Sequence, residues 1–184
     1  MRKLSANEQK IVDWYNELCF DSADYTDIQV IEIAKKAMDF AYEHFKEDEN
    51  AYEGYLYKYE VWICNIGLAI DAYLKKNVKS KKSTKIKQFV LDTINNENYS
   101  SGRDGFVLLL YILKMDEELR TIATERKDFW ENPRIRFQLL YSLFRRKIAG
   151  FTEIAEMLIA NNPKETELKK YAKKYIEKFN QSFG

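Results

Sequence analysis

Apolar residues recur along the chain at three- and four-residue spacing, and almost nowhere with the two-residue alternation of a half-buried strand. This pattern predicts an all-α protein of about nine helices. The first starts at Ser5, where Ser5, Ala6, Asn7 and Glu8 have the form of a capping box, and Ile11, Val12, Trp14, Tyr15, Leu18 and Cys19 supply its buried stripe. A second, over residues 26–45, carries Ile28, Ile31, Ala34, Met38, Ala41 and Phe45 on one face. A third, over 50–75, holds Tyr52, Tyr55, Leu56, Tyr59, Trp62, Ile63, Ile66, Ile70 and Tyr73. Being apolar on more than one side, it is expected to be central.

The periodicity then breaks. Residues 75–83 contain five lysines in a polar stretch that reads as an exposed loop and as the best internal boundary. Beyond it the spacing predicts six shorter helices, at 84–96, 102–115, 117–127, 133–147, 151–160 and 163–181. Their short connections would make antiparallel neighbours. The expected architecture is a helical bundle or short α-solenoid of helix pairs. An acidic three-helix half, 1–75, and a basic half, 76–184, would pack as one compact domain.

The second half repeats itself. A shift of 31 residues lays Tyr99 on Trp130, Arg103 on Arg134, Phe106 on Phe137, Leu108 and Leu109 on Leu139 and Leu140, and Ile112 on Leu143. With one inserted residue, Ile122 and Ala123 fall on Ile154 and Ala155. Asn132-Pro133 and Asn162-Pro163 each read as a helix start, with Asn as cap and Pro at the first helical position. Residues 132–140 resemble the start of a HEAT or armadillo helical repeat, over about residues 84–181.

Composition narrows the class. With 184 residues, 15% aromatic, 6 Gly and 2 Pro, the chain is neither disordered nor collagen-like, and two cysteines are too few for a disulfide scaffold. Cys19 and Cys64 lie in apolar segments and read as small buried hydrophobes in a reducing compartment. Residues 1–10 enter a polar, capped segment directly, so no signal peptide is expected, and no apolar run approaches the roughly 20 residues of a membrane span. A cytoplasmic protein is expected.

Catalytic chemistry has no foothold. The single histidine, His44, sits near the end of a predicted helix, where it complements the dipole. Metal-ligand spacings, Gly-rich phosphate loops and nucleophile elbows are absent; Gly102 and Gly105 read as a connection between helices. Glu32 and Asp39, a heptad apart, read as a solvated face. No catalytic residue, metal or cofactor is expected, which leaves a protein that works by binding.

Charge suggests what it binds. The formal net charge of +1 divides at the lysine-rich stretch into −8 through Leu74 and +9 from Lys75. In the acidic half, Glu43, Glu47, Asp48, Glu49 and Glu53 are interleaved with Tyr52 and Tyr55, and a second group contains Asp24 and Tyr25. Carboxylates that steer association and tyrosines that anchor it suit a cationic protein surface. In the basic half, Arg134, Arg136, Arg145, Arg146 and Lys147 form a candidate phosphate-binding set. The lysines of the last helix read as a solvated face.

In size, solubility and charge pattern the chain resembles the immunity proteins of bacterial toxin systems, including those of contact-dependent growth inhibition. That resemblance implies a non-enzymatic inhibitor whose partner is a basic, nuclease-type toxin domain, bound through the acidic, tyrosine-rich surface. An alternative is a nucleic-acid protein similar to the HEAT-like DNA alkylation-repair glycosylases, with the arginine set on phosphates and Trp130 or Trp62 near a base. A helical scaffold or adaptor is a third. The acidic half makes nucleic acid the weaker partner.

Overall fold

The computed structural model describes residues 3–49 and 56–180, which form ten α-helices and no strand. The chain divides into two compact units, Met1–Leu113 and Lys114–Gly184. The lysine-rich stretch at 75–83, expected to separate two halves, is internal to the first unit. The reason is packing: the helix before it packs on the 3-10 segment Glu97–Arg103 and the helix Asp104–Ile112, both of which come after it.

The first unit contains α1 (Ala6–Asn16), α2 (Asp27–Phe45), α3 (Lys58–Lys76), α4 (Thr84–Asn95) and α5 (Asp104–Ile112). Ser5 caps α1 as expected: its hydroxyl accepts from the Glu8 amide at 3.2 Å, and the Glu8 carboxylate accepts from the Ser5 amide at 2.8 Å. A π-type turn, Glu17–Asp21, and a 3-10 turn, Ser22–Asp24, lead into α2. Thr26 and Gln29 form a second capping box there.

The buried face of α2 is Val30, Ala34, Ala37, Met38, Ala41 and Phe45. Ile28, expected inside, is 47% exposed. Six residues before Ala34, it lies about 240° around the helix from that face, whereas Val30, four residues before, lies on it.

Helix α3 is central, touching α1, α2, α5, the 17–21 turn and the 3-10 segment Glu97–Arg103. It starts at Lys58, not near residue 50; Tyr52 and Tyr55, expected on its face, lie outside the described residues. Its approach to α5 is backbone to backbone. A Cβ on Gly105 would stand 2.5 Å from the Cys64 carbonyl oxygen, one on Gly102 2.7 Å from that of Glu60, and one on Gly67 2.9 Å from the Gly105 carbonyl carbon. Only glycine fits. The Gly102 and Gly105 pair thus serves close packing. The buried Glu60 carboxylate locks the junction, accepting from the amides of Tyr57 at 2.7 Å and Ser101 at 2.9 Å.

The second unit contains α6 (Asp116–Glu125), α7 (Lys127–Glu131), α8 (Pro133–Arg146), α9 (Thr152–Asn161) and α10 (Thr166–Asn180). Helix α8 packs on α6, α7 and α10, and α9 packs on α10. Leu119, Phe129, Ile135, Leu139, Leu140, Leu143, Leu168 and Tyr175 are buried in this unit. Asn132 caps α8 with Pro133 at the first helical position, as its sequence suggests. Asn162 does not start a helix: its amide turns back to the Leu158 carbonyl at 3.0 Å, closing α9, and α10 begins at Thr166.

Candidate partner-binding surface

At the C-terminal end of α2, Glu43, Glu47, Asp48 and Glu49 are all exposed. The chain beyond the helix is pinched at its base. The Asp48 carbonyl accepts the Lys58 amide at 2.7 Å, the Asp48 carboxylate pairs with the Lys58 ammonium at 3.1 Å, and Glu49 makes an antiparallel bridge with Tyr57. The chain therefore leaves at Glu49 and returns at Tyr57 side by side. Tyr52, Glu53 and Tyr55, predicted members of the surface, lie outside the described residues.

Tyr57 is 43% exposed and heads a row of tyrosines. Its ring stacks on Tyr59 at 6.1 Å, Tyr59 meets the edge of Tyr42 at 5.4 Å, and Tyr42 meets Tyr99 at 6.5 Å. The Tyr99 hydroxyl donates to Asp39 at 2.8 Å. Burial, reinforced by the Glu60 charge, pushes the Tyr59 phenol up to about 12. Burial and then the Asp39 hydrogen bond push Tyr99 upward as well. The ring contacts tie Tyr57 and Tyr59, at the start of α3, to Tyr42 in the last turns of α2. His44 stacks on Phe40 with ring centroids 3.9 Å apart, in the last turn of α2.

The second acidic group does not join the first. Asp24 is exposed in the turn before α2, and the half-buried Tyr25 donates its hydroxyl to Glu17 at 2.8 Å. Nineteen helical residues separate this end of α2 from the other, a span of about 28 Å at the standard rise. Glu43, Glu47, Asp48 and Glu49 thus form one surface, and Asp24 and Tyr25 belong to another.

The predicted phosphate-binding set is also dispersed. Arg136 is buried and gives its guanidinium to Glu165 and to the Glu131 carbonyl. Arg146 holds Asp116 in a two-pronged pair, which draws the Asp116 carboxyl below its usual range. Arg145 lies over Tyr141 at 5.8 Å, Lys147 takes the left-handed position that ends α8, and Arg134 is at the opposite end of that helix. Trp130, suggested near a base, is buried with its indole N–H on the Ala123 carbonyl at 2.8 Å.

The charge division changes with the fold. Unit by unit, the chain has 15 Lys and Arg against 18 Asp and Glu through Leu113, net −3, and 15 against 11 beyond it, net +4. The seven lysines of 75–87 sit in the same unit as the acidic helices.

Two clefts carried no motif that would reveal them in the sequence. One, in the second unit, is lined by Trp130, Ile154, Met157 and Leu158 beneath Lys127 and Glu131, with Met157 48% exposed. The other lies beside the lysine-rich 3-10 segment. Among the described residues no three His, Cys, Asp or Glu side chains converge as metal ligands, and no helix is long and apolar enough to cross a membrane. The chain matches no protein-family model, no curated protein and no solved structure at a significant level.

Proposed function

We propose that this chain is a non-enzymatic binding protein that holds a cationic partner protein on the acidic end of α2, acting as an immunity-type inhibitor of a basic, nuclease-type toxin domain in the cytoplasm. The observation that carries this reading is the position of Glu43, Glu47, Asp48 and Glu49. They crowd the C-terminal end of α2, where the helix dipole is already negative and stability favours cations. Asp48 pairs with Lys58, but helix stability gives no reason for Glu43, Glu47 and Glu49 at that end; a positively charged partner does. The exposed Tyr57 beside them supplies a rigid anchor, which is the role tyrosine fills at interface centres.

The test is Glu47→Lys, Asp48→Lys and Glu49→Lys in one chain, assayed for binding to the purified product of the adjacent gene, where an immunity protein's toxin is encoded. Association should slow on the order of 10- to 100-fold at low ionic strength, with a smaller effect at high salt. Unchanged affinity for that partner after the reversal would refute the acidic surface.

A further inference from the structure

The lysine-rich segment of the first unit builds a second charged feature, independent of the acidic surface. Residues 72–91 contain seven lysines and no carboxylate. Two are engaged locally: Lys75 pairs with Asp71 at 2.6 Å, and Lys76 donates to the carbonyls of Cys19 and Phe20. Lys79, Lys82 and Lys85 line one open cleft of about 590 Å³. Their alignment comes from local structure. Val78–Lys82 is a 3-10 helix, whose three residues per turn put Lys79 and Lys82 on one edge, and Lys85 comes three residues later in the first turn of α4.

The cleft holds one carboxylate, that of Asp27, which is already engaged. Tyr73 donates to it at 2.9 Å, and the Ser80 and Ser83 hydroxyls bond it too. Burial alone would raise the Asp27 carboxyl; the bonds from Ser83, Ser80 and Tyr73 and the nearby Lys85 outweigh it and hold the carboxyl below its usual range. Three ammonium groups against one carboxylate leave an excess of two positive charges in the lining of the cleft.

We propose that this cleft binds a terminal phosphate group of a small molecule, a dianion whose charge matches the excess. A phosphodiester, in a nucleic-acid backbone or a lipid headgroup, brings a single charge and matches it less well. The hydroxyl of Thr84 lines the same cleft and is a further donor to phosphate oxygens. The first turns of α2 and α4 border it, adding peptide dipoles that favour an anion.

The experiment is calorimetric titration of the full chain with inorganic pyrophosphate, with duplex DNA and phosphatidylglycerol vesicles as parallel arms. Saturable binding of pyrophosphate is expected, weakened at least about tenfold by Lys79→Gln, Lys82→Gln and Lys85→Gln together, all three side chains being exposed. Asp27→Asn removes the internal negative charge and should tighten binding; if that variant does not fold, the triple variant decides. Binding undiminished in the triple variant would overturn the proposal. So would loss of binding on Arg145→Gln, Lys147→Gln and Lys178→Gln instead, a separate basic cluster in which Lys178 of α10 lies near Lys147 and Arg145. Stronger binding of DNA or vesicles than of pyrophosphate through the same lysines would overturn it in favour of a phosphodiester partner.

Discussion

Replacing Gly105 by alanine sets local propensity against tertiary packing. Gly105 lies in the first turn of α5, where alanine is worth about 0.5–1 kcal/mol over glycine in helix propensity. The same methyl would stand 2.5 Å from the Cys64 carbonyl oxygen and 3.2 Å from two further backbone atoms of Cys64. A backbone carbonyl inside α3 cannot swing aside as the end of a flexible side chain would. Relief requires α3 and α5 to part by roughly 0.5–1 Å, a gap that forfeits a quarter to a half of the dispersion attraction between contacting atoms. Overpacking of this kind costs about 1–3 kcal/mol or more. Packing wins, and the net effect should be a loss of about 1–2 kcal/mol. Urea denaturation monitored by far-ultraviolet circular dichroism should show a midpoint lowered by about 1 M with little change in slope. Gly67→Ala should act through the same gap, since its Cβ would meet Gly105 itself. The double variant should therefore cost less than the two single variants added together. A midpoint equal to or above that of the unaltered chain for Gly105→Ala would mean that α3 and α5 do not approach as described.

Two further outcomes rest on buried and half-buried groups. Burial pushes the phenols of Tyr59 and Tyr175 up to about 12, whereas an unfolded tyrosine titrates near about 10. Their stabilising contribution is therefore whole below about pH 10 and lost as pH rises through about 12, because the unfolded chain releases those protons first. The last tyrosinate absorbance should rise together with the loss of helical dichroism; complete ionisation near pH 10 with the helices intact would contradict the burial. The two arginine pairs of the second unit should also differ. Arg136 keeps only 10% of its side chain exposed and faces Glu165, while Arg146 and Asp116 are 23% and 41% exposed. Arg136→Ala should cost about 2–3 kcal/mol in thermal or urea unfolding and Arg146→Ala about 1 or less. Equal losses would show that burial does not separate them.

Much of the fold was legible from residue spacing because the signals were local. The Ser5 and Glu8 capping box, the Asn132 and Pro133 start of α8 and the apolar excess of α3 each depend on residues within a turn or two of one another. Where the reading failed, a distant partner or the exact phase decided. Asn162 and Asn132 each precede a proline, yet Asn162 closes α9 through the Leu158 carbonyl. Ile28 and Val30 are equally apolar, and only the phase relative to Ala34 puts Val30 inside. Arg136 and Arg146 read as phosphate ligands until Glu165 and Asp116, each about 30 residues away in sequence, take them.

The acidic surface itself was half legible. Glu43, Glu47, Asp48 and Glu49 are close in sequence and remain together, because a helix end and the turn after it keep neighbours adjacent. Asp24 and Tyr25, a second acidic group expected to serve the same partner, are carried by the length of α2 to its other end. The sequence by itself determined the helical class, most helix boundaries and the identity of the charged side chains. Only the tertiary structure decided which charges share a compact unit: it placed seven lysines in the unit of the acidic helices and reduced a division of −8 and +9 along the chain to −3 and +4 between units. The physical reason is that helix propensity and capping act over a few residues, whereas charge complementarity acts through space, and the glycine-lined contact of α3 with α5 sets which stretches of chain share a unit.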